Sequence, residues 1–61
     1  MSPKLEYHIL ELRYTKWLKG HTNRGIPTWT PYSTKAAYFT KKYAMSVEKR
    51  HPFTIRAVRA L

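Results

Sequence analysis

The sequence predicts a small α+β domain in which one helix packs on an antiparallel sheet of about three strands, in the order β-β-α-β. Three observations support this fold. The chain has 61 residues, which is enough for one domain. Its two Trp, five Tyr and two Phe residues supply the large side chains that so small a core needs. One segment combines a helix start with a helix stop, and the segments on either side are rich in residues that favour strands.

The first strand is predicted over residues 5–18, after a short flexible arm at residues 1–4. Its apolar spacing also fits a helix, but no capping residue stands where that helix would begin, and Tyr, Ile and Thr are frequent. As a strand it separates Glu6 from Glu11, because alternate side chains point to opposite faces. One face carries His8, Leu10, Leu12 and Tyr14, and the other carries Tyr7, Ile9, Glu11 and Arg13.

Residues 19–27 are predicted to form a polar loop that contains both glycines, so the chain reverses there. The second strand, residues 26–30, is centred on Trp29 and pairs back on the first. Pro27 and Pro31 bound it and predict an edge position, because proline cannot donate a hydrogen bond to a neighbouring strand.

The helix is predicted to begin at Thr40 and to end at the histidine-proline pair at 51–52. Lys41 and Lys42 fall in its first turn, where the helix dipole disfavours cations, which indicates that they serve a partner. The last strand is predicted over residues 53–61. The side chains predicted for the core are Tyr7, Trp29, Phe39, Phe53, Tyr43, Ala44 and Val47.

The charge balance is the main indication of function. Twelve Lys and Arg residues face three Glu residues, which gives a net charge of +9 and a pI of about 10.3. Like charges repel on folding, so such an excess usually meets a negative partner: nucleic acid, an anionic membrane or an acidic protein surface. No apolar run approaches the roughly 18 residues of a membrane span, and the helix has little apolar surface to lay on a membrane. We therefore expect a cytoplasmic protein without a membrane partner.

The residue types needed for catalysis or metal binding are sparse. The chain has no cysteine, and its three glutamates are its only acidic side chains. His8, His21 and His51 are scattered, and none has a second ligand at a metal-binding spacing. No phosphate-binding loop, nucleophile elbow or dinucleotide fingerprint occurs. We therefore expect neither a cofactor nor an enzyme.

Basic and aromatic residues interleave in two segments. Cations contact phosphates, while aromatic rings can stack on unpaired bases. The predicted binding residues are Arg13, Lys16, Trp17, Lys19 and Arg24 in one limb and Lys35, Lys41 and Lys42 in the other. Tyr14 is a second stacking candidate, and Arg56 and Arg59 add cations on the last strand. Four phosphates neutralised on duplex DNA would give a log–log salt slope of about −3.6.

The leading interpretation is a non-enzymatic binding module that contacts nucleic acid through phosphate charge. The sequence does not distinguish DNA from RNA or single from double strands. The alternative is a protein that docks on an acidic surface of another protein, steered by the same cations and anchored by Trp17 or Tyr32. A structural component of a ribonucleoprotein or virion is a third class. A homodimer through an exposed strand edge is compatible with so small a sheet.

Several short motifs carry a resemblance: Trp29-Thr30-Pro31, the run from Lys35 to Thr40, Ala44, and a closing strand at 55–58. In these features the chain resembles small uncharacterised bacteriophage proteins that run strand, loop, helix and strand. The match covers about the last two-thirds of the chain. Some phage proteins of this size bind and redirect host RNA polymerase, nucleases or nucleoid proteins, so the resemblance implies such a role. The chain departs from the pattern at Lys41 and Lys42, where such helices often carry acids, and no functional residue is carried over.

Overall fold

A computed structural model describes residues 4–60 of the chain. The predicted α+β class is confirmed, since one helix packs on an antiparallel sheet, but this sheet has five short strands rather than about three. The elements in chain order are β1 (Leu5–Glu11), β2 (Lys16–His21), β3 (Pro27–Thr30), β4 (Phe39–Thr40), α1 (Lys41–Arg50) and β5 (Ile55–Arg59). A single 3-10 turn, Ser33–Lys35, lies between β3 and β4. Most of the predicted flexible arm lies outside the described residues.

The predicted first strand over residues 5–18 is wrong, because the chain turns back at residues 12–15 and forms a hairpin between β1 and β2. No glycine, proline or asparagine marks this turn. Thr15 instead adopts a positive φ of 52°, a conformation that costs a side chain with a branched Cβ some free energy. The Glu11 carboxylate accepts the backbone N–H of Arg13 at 2.7 Å and so stabilises the reversal.

The predicted loop at 19–27 begins too early, because β2 continues to His21. The reversal is confined to residues 22–26, where the Thr22 hydroxyl accepts backbone N–H groups from Arg24 and Ile26. Gly25 has a φ of 79° there, in the region that glycine tolerates best. Strand β3 pairs with β2 alone, so its predicted edge position is confirmed.

Strand β1 is the centre of the sheet. Strand β5 pairs with it from Tyr7 to Glu11. Strand β2 pairs with the C-terminal end of β1, and β4 pairs with its N-terminal end. Tyr7 of β1 pairs with both β4 and β5, and Leu10 of β1 pairs with both β2 and β5. Because a strand has two edges, β2 and β4 must both lie on the edge of β1 opposite β5. The chain at Ala37–Thr40 thus enters where β1 and β2 separate, and the Ala37 N–H bonds the Leu18 carbonyl at 3.0 Å.

The predicted helix start is confirmed, since the Thr40 hydroxyl accepts the backbone N–H of Tyr43 at 3.1 Å. The predicted end is also confirmed: the helix stops at Arg50, and the His51 N–H bonds the carbonyls of Val47 and Glu48. The helix packs on β5, β1 and β4. The core beneath it consists of buried Ile9, Leu18, Ala44 and Ile55, with Tyr7, Trp29, Phe39, Val47 and Ala57 packed around them.

Phe53 is not a core residue, contrary to the prediction, and is 90% exposed. The His51 carbonyl accepts the N–H groups of Thr54 and Ile55, which closes a turn with Phe53 at its tip. The last strand therefore begins at Ile55 rather than at Phe53. Leu61, the predicted end of that strand, lies outside the described residues.

The outer edge of β5 is partly covered by the helix. In an antiparallel pair, the N–H groups of one strand point alternately toward and away from its partner. The Leu12–Thr54 and Ala60–Glu6 backbone hydrogen bonds show that residues 54 and 60 face β1, so the Ala57 N–H points away from β1. The Glu48 side chain accepts that N–H at 3.1 Å. No comparable bond to the outer edge of β3 is found within residues 4–60. The β3 edge is therefore the more open to pairing with another strand.

Candidate nucleic-acid interface

Strand alternation gives the sheet two different faces. One face carries Ile9, Leu18 and Ile55 and is covered by α1. The opposite face has a row of cross-strand neighbours running through four strands: Arg56, Leu10, Trp17 and Thr30. We call this opposite face, together with the segment at 31–38 that borders it, the aromatic face. Its members are His8, Leu10, Trp17, Lys19, Thr30, Tyr32, Lys35, Tyr38, Arg56 and Val58.

His8 organises the rings of the aromatic face. Its side chain is almost fully buried, and Nδ1 lies 2.8 Å from the Ala37 carbonyl oxygen. Because a carbonyl can only accept, Nδ1 carries the hydrogen in this bond. The His8 ring contacts Trp17 edge-on at a centroid distance of 5.6 Å and contacts Tyr38 at 4.6 Å. His8 thus positions one ring on each side of itself.

The segment between β3 and β4 extends this row of rings. The Tyr32 N–H bonds the Thr30 hydroxyl, and Thr30 lies opposite Trp17 in the sheet. The Lys35 ammonium lies 5.3 Å from the centre of the Tyr32 ring, a cation–π distance. Tyr32 is 59% exposed and Tyr38 is 49% exposed. The aromatic face therefore presents accessible ring surface next to positive charge.

The three carboxylates each bond another group of the chain, whereas most of the cations have no carboxylate partner in the described residues. Glu11 lies 3.0 Å from Arg13, Glu6 lies 3.8 Å from Arg59, and Glu48 bonds the backbone of β5. Within residues 4–60, Glu11–Arg13 and Glu6–Arg59 are the two ion pairs found. The other ten lysine and arginine side chains are exposed and have no carboxylate partner in the described part of the chain.

The predicted binding residues do not form one surface. Trp17 and Lys19 lie on the aromatic face, and Lys35 lies on its bordering segment. Lys16 pairs with Glu11 across the hairpin and so belongs to the helix-covered face. The remaining predicted residues lie elsewhere: Arg13 and Tyr14 in the β1–β2 turn, Arg24 in the β2–β3 loop, and Lys41 and Lys42 in the first turn of α1.

Arg13 differs from the other predicted cations because it is committed to an ion pair. Its guanidinium and its backbone N–H both bond the Glu11 carboxylate, which is nearly buried. The side-chain hydrogen bond from Arg13 holds the pKa of Glu11 below its ordinary value, and the same bond raises the pKa of Arg13. The Arg13 guanidinium also lies 5.5 Å from the centre of the Tyr14 ring. This pair serves the turn and leaves Arg13 less available to a ligand.

His8 and Tyr38 are members of the aromatic face that the predicted set of binding residues lacks, and Arg56 was predicted only as an additional cation on the last strand. The alternation of the first strand placed His8 and Leu10 together, which was the available signal for His8. Tyr38 joins them only because residues 37–40 enter beside β1. Arg56 joins them through its pairing with Leu10. The positions of Tyr38 and Arg56 beside His8 and Leu10 both depend on pairing between distant parts of the chain.

No family model, curated protein or solved structure matches the chain. No helix in residues 4–60 has the length and apolar character to cross a membrane. The same residues contain no group of three or more His, Cys, Asp or Glu side chains arranged to hold a metal ion.

Proposed function

We propose that this protein is a non-enzymatic nucleic-acid-binding module that binds single strands on the aromatic face. The observation that supports the proposal most is that the exposed rings of Tyr32 and Tyr38 and the partly exposed ring of Trp17 share one face with unpaired cations. Trp17 and Tyr38 flank His8, while Lys19 and Arg56 stand on the neighbouring strands without carboxylate partners in the described part of the chain.

The ring surface favours single strands over duplexes. The flat faces of bases are already stacked within a duplex, whereas an unpaired base can stack on a protein ring. Base–aromatic stacking tolerates any sequence because every base has such a face. Phosphate contacts likewise carry no sequence information. The proposed binding is therefore strong in salt dependence and weak in sequence preference.

Salt-dependent binding of labelled oligonucleotides tests the proposal. Fluorescence anisotropy would compare an oligothymidylate of about twelve nucleotides with its duplex form. Three cations, Lys19, Lys35 and Arg56, would give a log–log salt slope of about −2 on the single strand. Tighter binding to the duplex, or binding that does not respond to salt, would reject single-strand recognition on this face.

Two neighbouring lysines provide a matched pair of variants. Lys16 and Lys19 are both exposed on β2. Lys16 pairs with Glu11 on the helix-covered face, whereas Lys19 lies in the bulge of β2 opposite Thr28, on the aromatic face. Lys19→Gln should lower the magnitude of the salt slope by about 0.7, because one phosphate contact is lost. Lys16→Gln removes the same charge and should leave the slope unchanged. Equal effects of the two changes would mean that net charge alone drives binding.

A second candidate function is docking on an acidic surface of a host protein. The observation that favours it is apolar surface away from the aromatic face, including the almost fully exposed ring of Phe53. A bacteriophage origin and action in the host cytoplasm belong to both candidate functions and depend on the motif resemblance. A pull-down from nuclease-treated bacterial lysate, beside a gel shift at two salt concentrations, separates the two functions. Retention of one defined host protein after nuclease treatment would favour docking.

A further inference from the structure

The helix leaves part of its own side of the sheet open. Strands β5, β1 and β4 carry α1, while the β2–β3 hairpin extends beyond it. Between the helix and this hairpin lies a cleft of about 430 Å³, within the range of protein ligand sites. Its apolar lining consists of the partly exposed side chains of Trp29 and Val47, above Ile9 and Leu18, which are buried in the core. A ten-residue helix is too short and narrow to cover five strands, which explains the opening.

The rim of this cleft is positive. Arg50, in the last turn of α1, has no carboxylate partner within residues 4–60, and His21 and His51 belong to the same lining. The one carboxylate in the lining is Glu11, which Arg13 neutralises. A ligand that enters here therefore meets an apolar floor and one uncompensated guanidinium.

We propose that the cleft binds a short acidic segment of a partner protein, which inserts one bulky apolar side chain against Trp29 and places a carboxylate on Arg50. Charge complementarity argues for an acidic occupant, and the aliphatic floor argues for an apolar anchor. A nucleic-acid strand fits less well, because its regularly spaced phosphates need a row of cations and the lining offers one unpaired arginine. The proposal does not depend on nucleic-acid binding, since the cleft and the aromatic face lie on opposite sides of the sheet.

The two tryptophans of the chain report the two faces separately. Trp17 lies on the aromatic face, and Trp29 lines the cleft. Each indole N–H gives its own signal in a nitrogen–proton correlation spectrum, and a Trp17→Phe variant assigns them. Titration with the peptide acetyl-Asp-Glu-Phe-Leu-Glu-Asp-amide should move the Trp29 signal and leave the Trp17 signal in place.

A second peptide and two protein variants complete the experiment. Acetyl-Asp-Glu-Ser-Ser-Glu-Asp-amide has the same charge without the apolar anchor and should bind about tenfold more weakly. Arg50→Gln should weaken binding of the first peptide about three- to fivefold, as loss of one exposed ion pair does. Arg56→Gln removes the same charge from the opposite face and should have little effect. Far-UV circular dichroism confirms that both variants are folded.

Four results would overturn the proposal. The two peptides could bind equally, which would mean that charge alone attracts them. The first peptide could move the Trp17 signal instead of the Trp29 signal. It could fail to move either signal at about 1 mM. An oligothymidylate could move the Trp29 signal more than the Trp17 signal, which would make the cleft a nucleotide site.

Discussion

The two faces of this sheet have similar strands but different surroundings. The helix-covered face contains Ile9 and Ile55, both buried, and Ala44 of the helix packs directly on them. Within residues 4–60, the opposite side of the sheet has no helix over it and is bordered by the 31–38 segment, where Tyr38 remains about half exposed. A single helix can cover only one side of a sheet. The other side keeps the exposed ring surface of Tyr32 and Tyr38.

The rings of the aromatic face are nevertheless held in fixed positions by specific contacts. His8 has its hydrogen bond to Ala37 and contacts a ring on either side. Buried polar side chains with satisfied hydrogen bonds fix a unique local geometry. Rings held in this way lose little further conformational freedom when a ligand stacks on them. The helix-covered face therefore carries the buried core, and the proposed recognition belongs to the aromatic face.

The largest expected effect separates the faces by stability. Ile9→Ala should lower the free energy of unfolding by about 2–5 kcal/mol, because Ile9 is fully buried and its loss leaves a cavity. A domain of this size has a total of only about 3–5 kcal/mol, so the variant should be largely unfolded. Urea denaturation followed by circular dichroism measures the change.

Leu10→Ala is the matched control for Ile9→Ala, since Leu10 is the next residue on the same strand and lies half-buried on the aromatic face. Its expected loss is about 1 kcal/mol. Ile9→Val, with an expected loss of about 0.5–1.5 kcal/mol, keeps the test quantitative if Ile9→Ala does not fold. Equal losses at positions 9 and 10 would contradict the division between the faces.

The next effect separates the faces by binding. Tyr38→Leu should weaken binding to an oligothymidylate by about 1–3 kcal/mol, the contribution of one stacked base. Tyr43→Leu is the control: Tyr43 is exposed to a similar degree, but it stacks on Phe39 on the helix side. Fluorescence anisotropy on both variants measures the difference. If Tyr43→Leu weakens binding as much as Tyr38→Leu, the strand does not bind on the aromatic face.

A smaller effect concerns how the helix is held to the sheet. Glu48→Ala should lower the free energy of unfolding by about 1–2 kcal/mol, because the Ala57 N–H loses its charged acceptor. Glu48→Gln retains an acceptor oxygen and should recover much of that loss. Lys49→Ala changes the exposed neighbour and should stay within about 0.5 kcal/mol of the parent. Thermal unfolding measures all three, and equal losses for Ala and Gln at position 48 would exclude this role.

The smallest effect is the pH dependence of the Glu11–Arg13 pair. Arg13 lowers the pKa of Glu11 in the folded protein, so the pair stabilises the fold above the ordinary value near 4.5 and ceases to do so as pH falls through the lowered pKa. Glu11→Gln should therefore be less stable than the parent near pH 7, and the difference should be smaller near pH 3.

Urea midpoints at both pH values measure this difference. Arg13→Gln should give the same pattern, because it breaks the same pair from the other side. A gap between parent and Glu11→Gln that persists in full at the acidic pH would show that the pair does not carry the pH dependence.

Local features of this chain were predictable because they depend on a few neighbouring residues. The Thr40 cap, the helix end before Pro52, the edge position of β3 and the excess of cations all follow from adjacent side chains and composition. The separation of Tyr7 and Ile9 from His8 and Leu10 follows from strand alternation alone, and it is present in β1.

Other features required the folded chain, because they depend on which distant segments pair. The hairpin turn at 12–15 is held by the Glu11 carboxylate, not by a typical turn residue. That turn pairs Lys16 with Glu11 on the helix-covered face, so alternation along β2 places Lys19 on the other face and divides the predicted binding residues. Entry of residues 37–40 beside β1 brings Tyr38 to His8, and the turn at His51 leaves Phe53 exposed. Whether a side chain is buried depends on which distant residues pack against it, and these contacts form only when the chain folds.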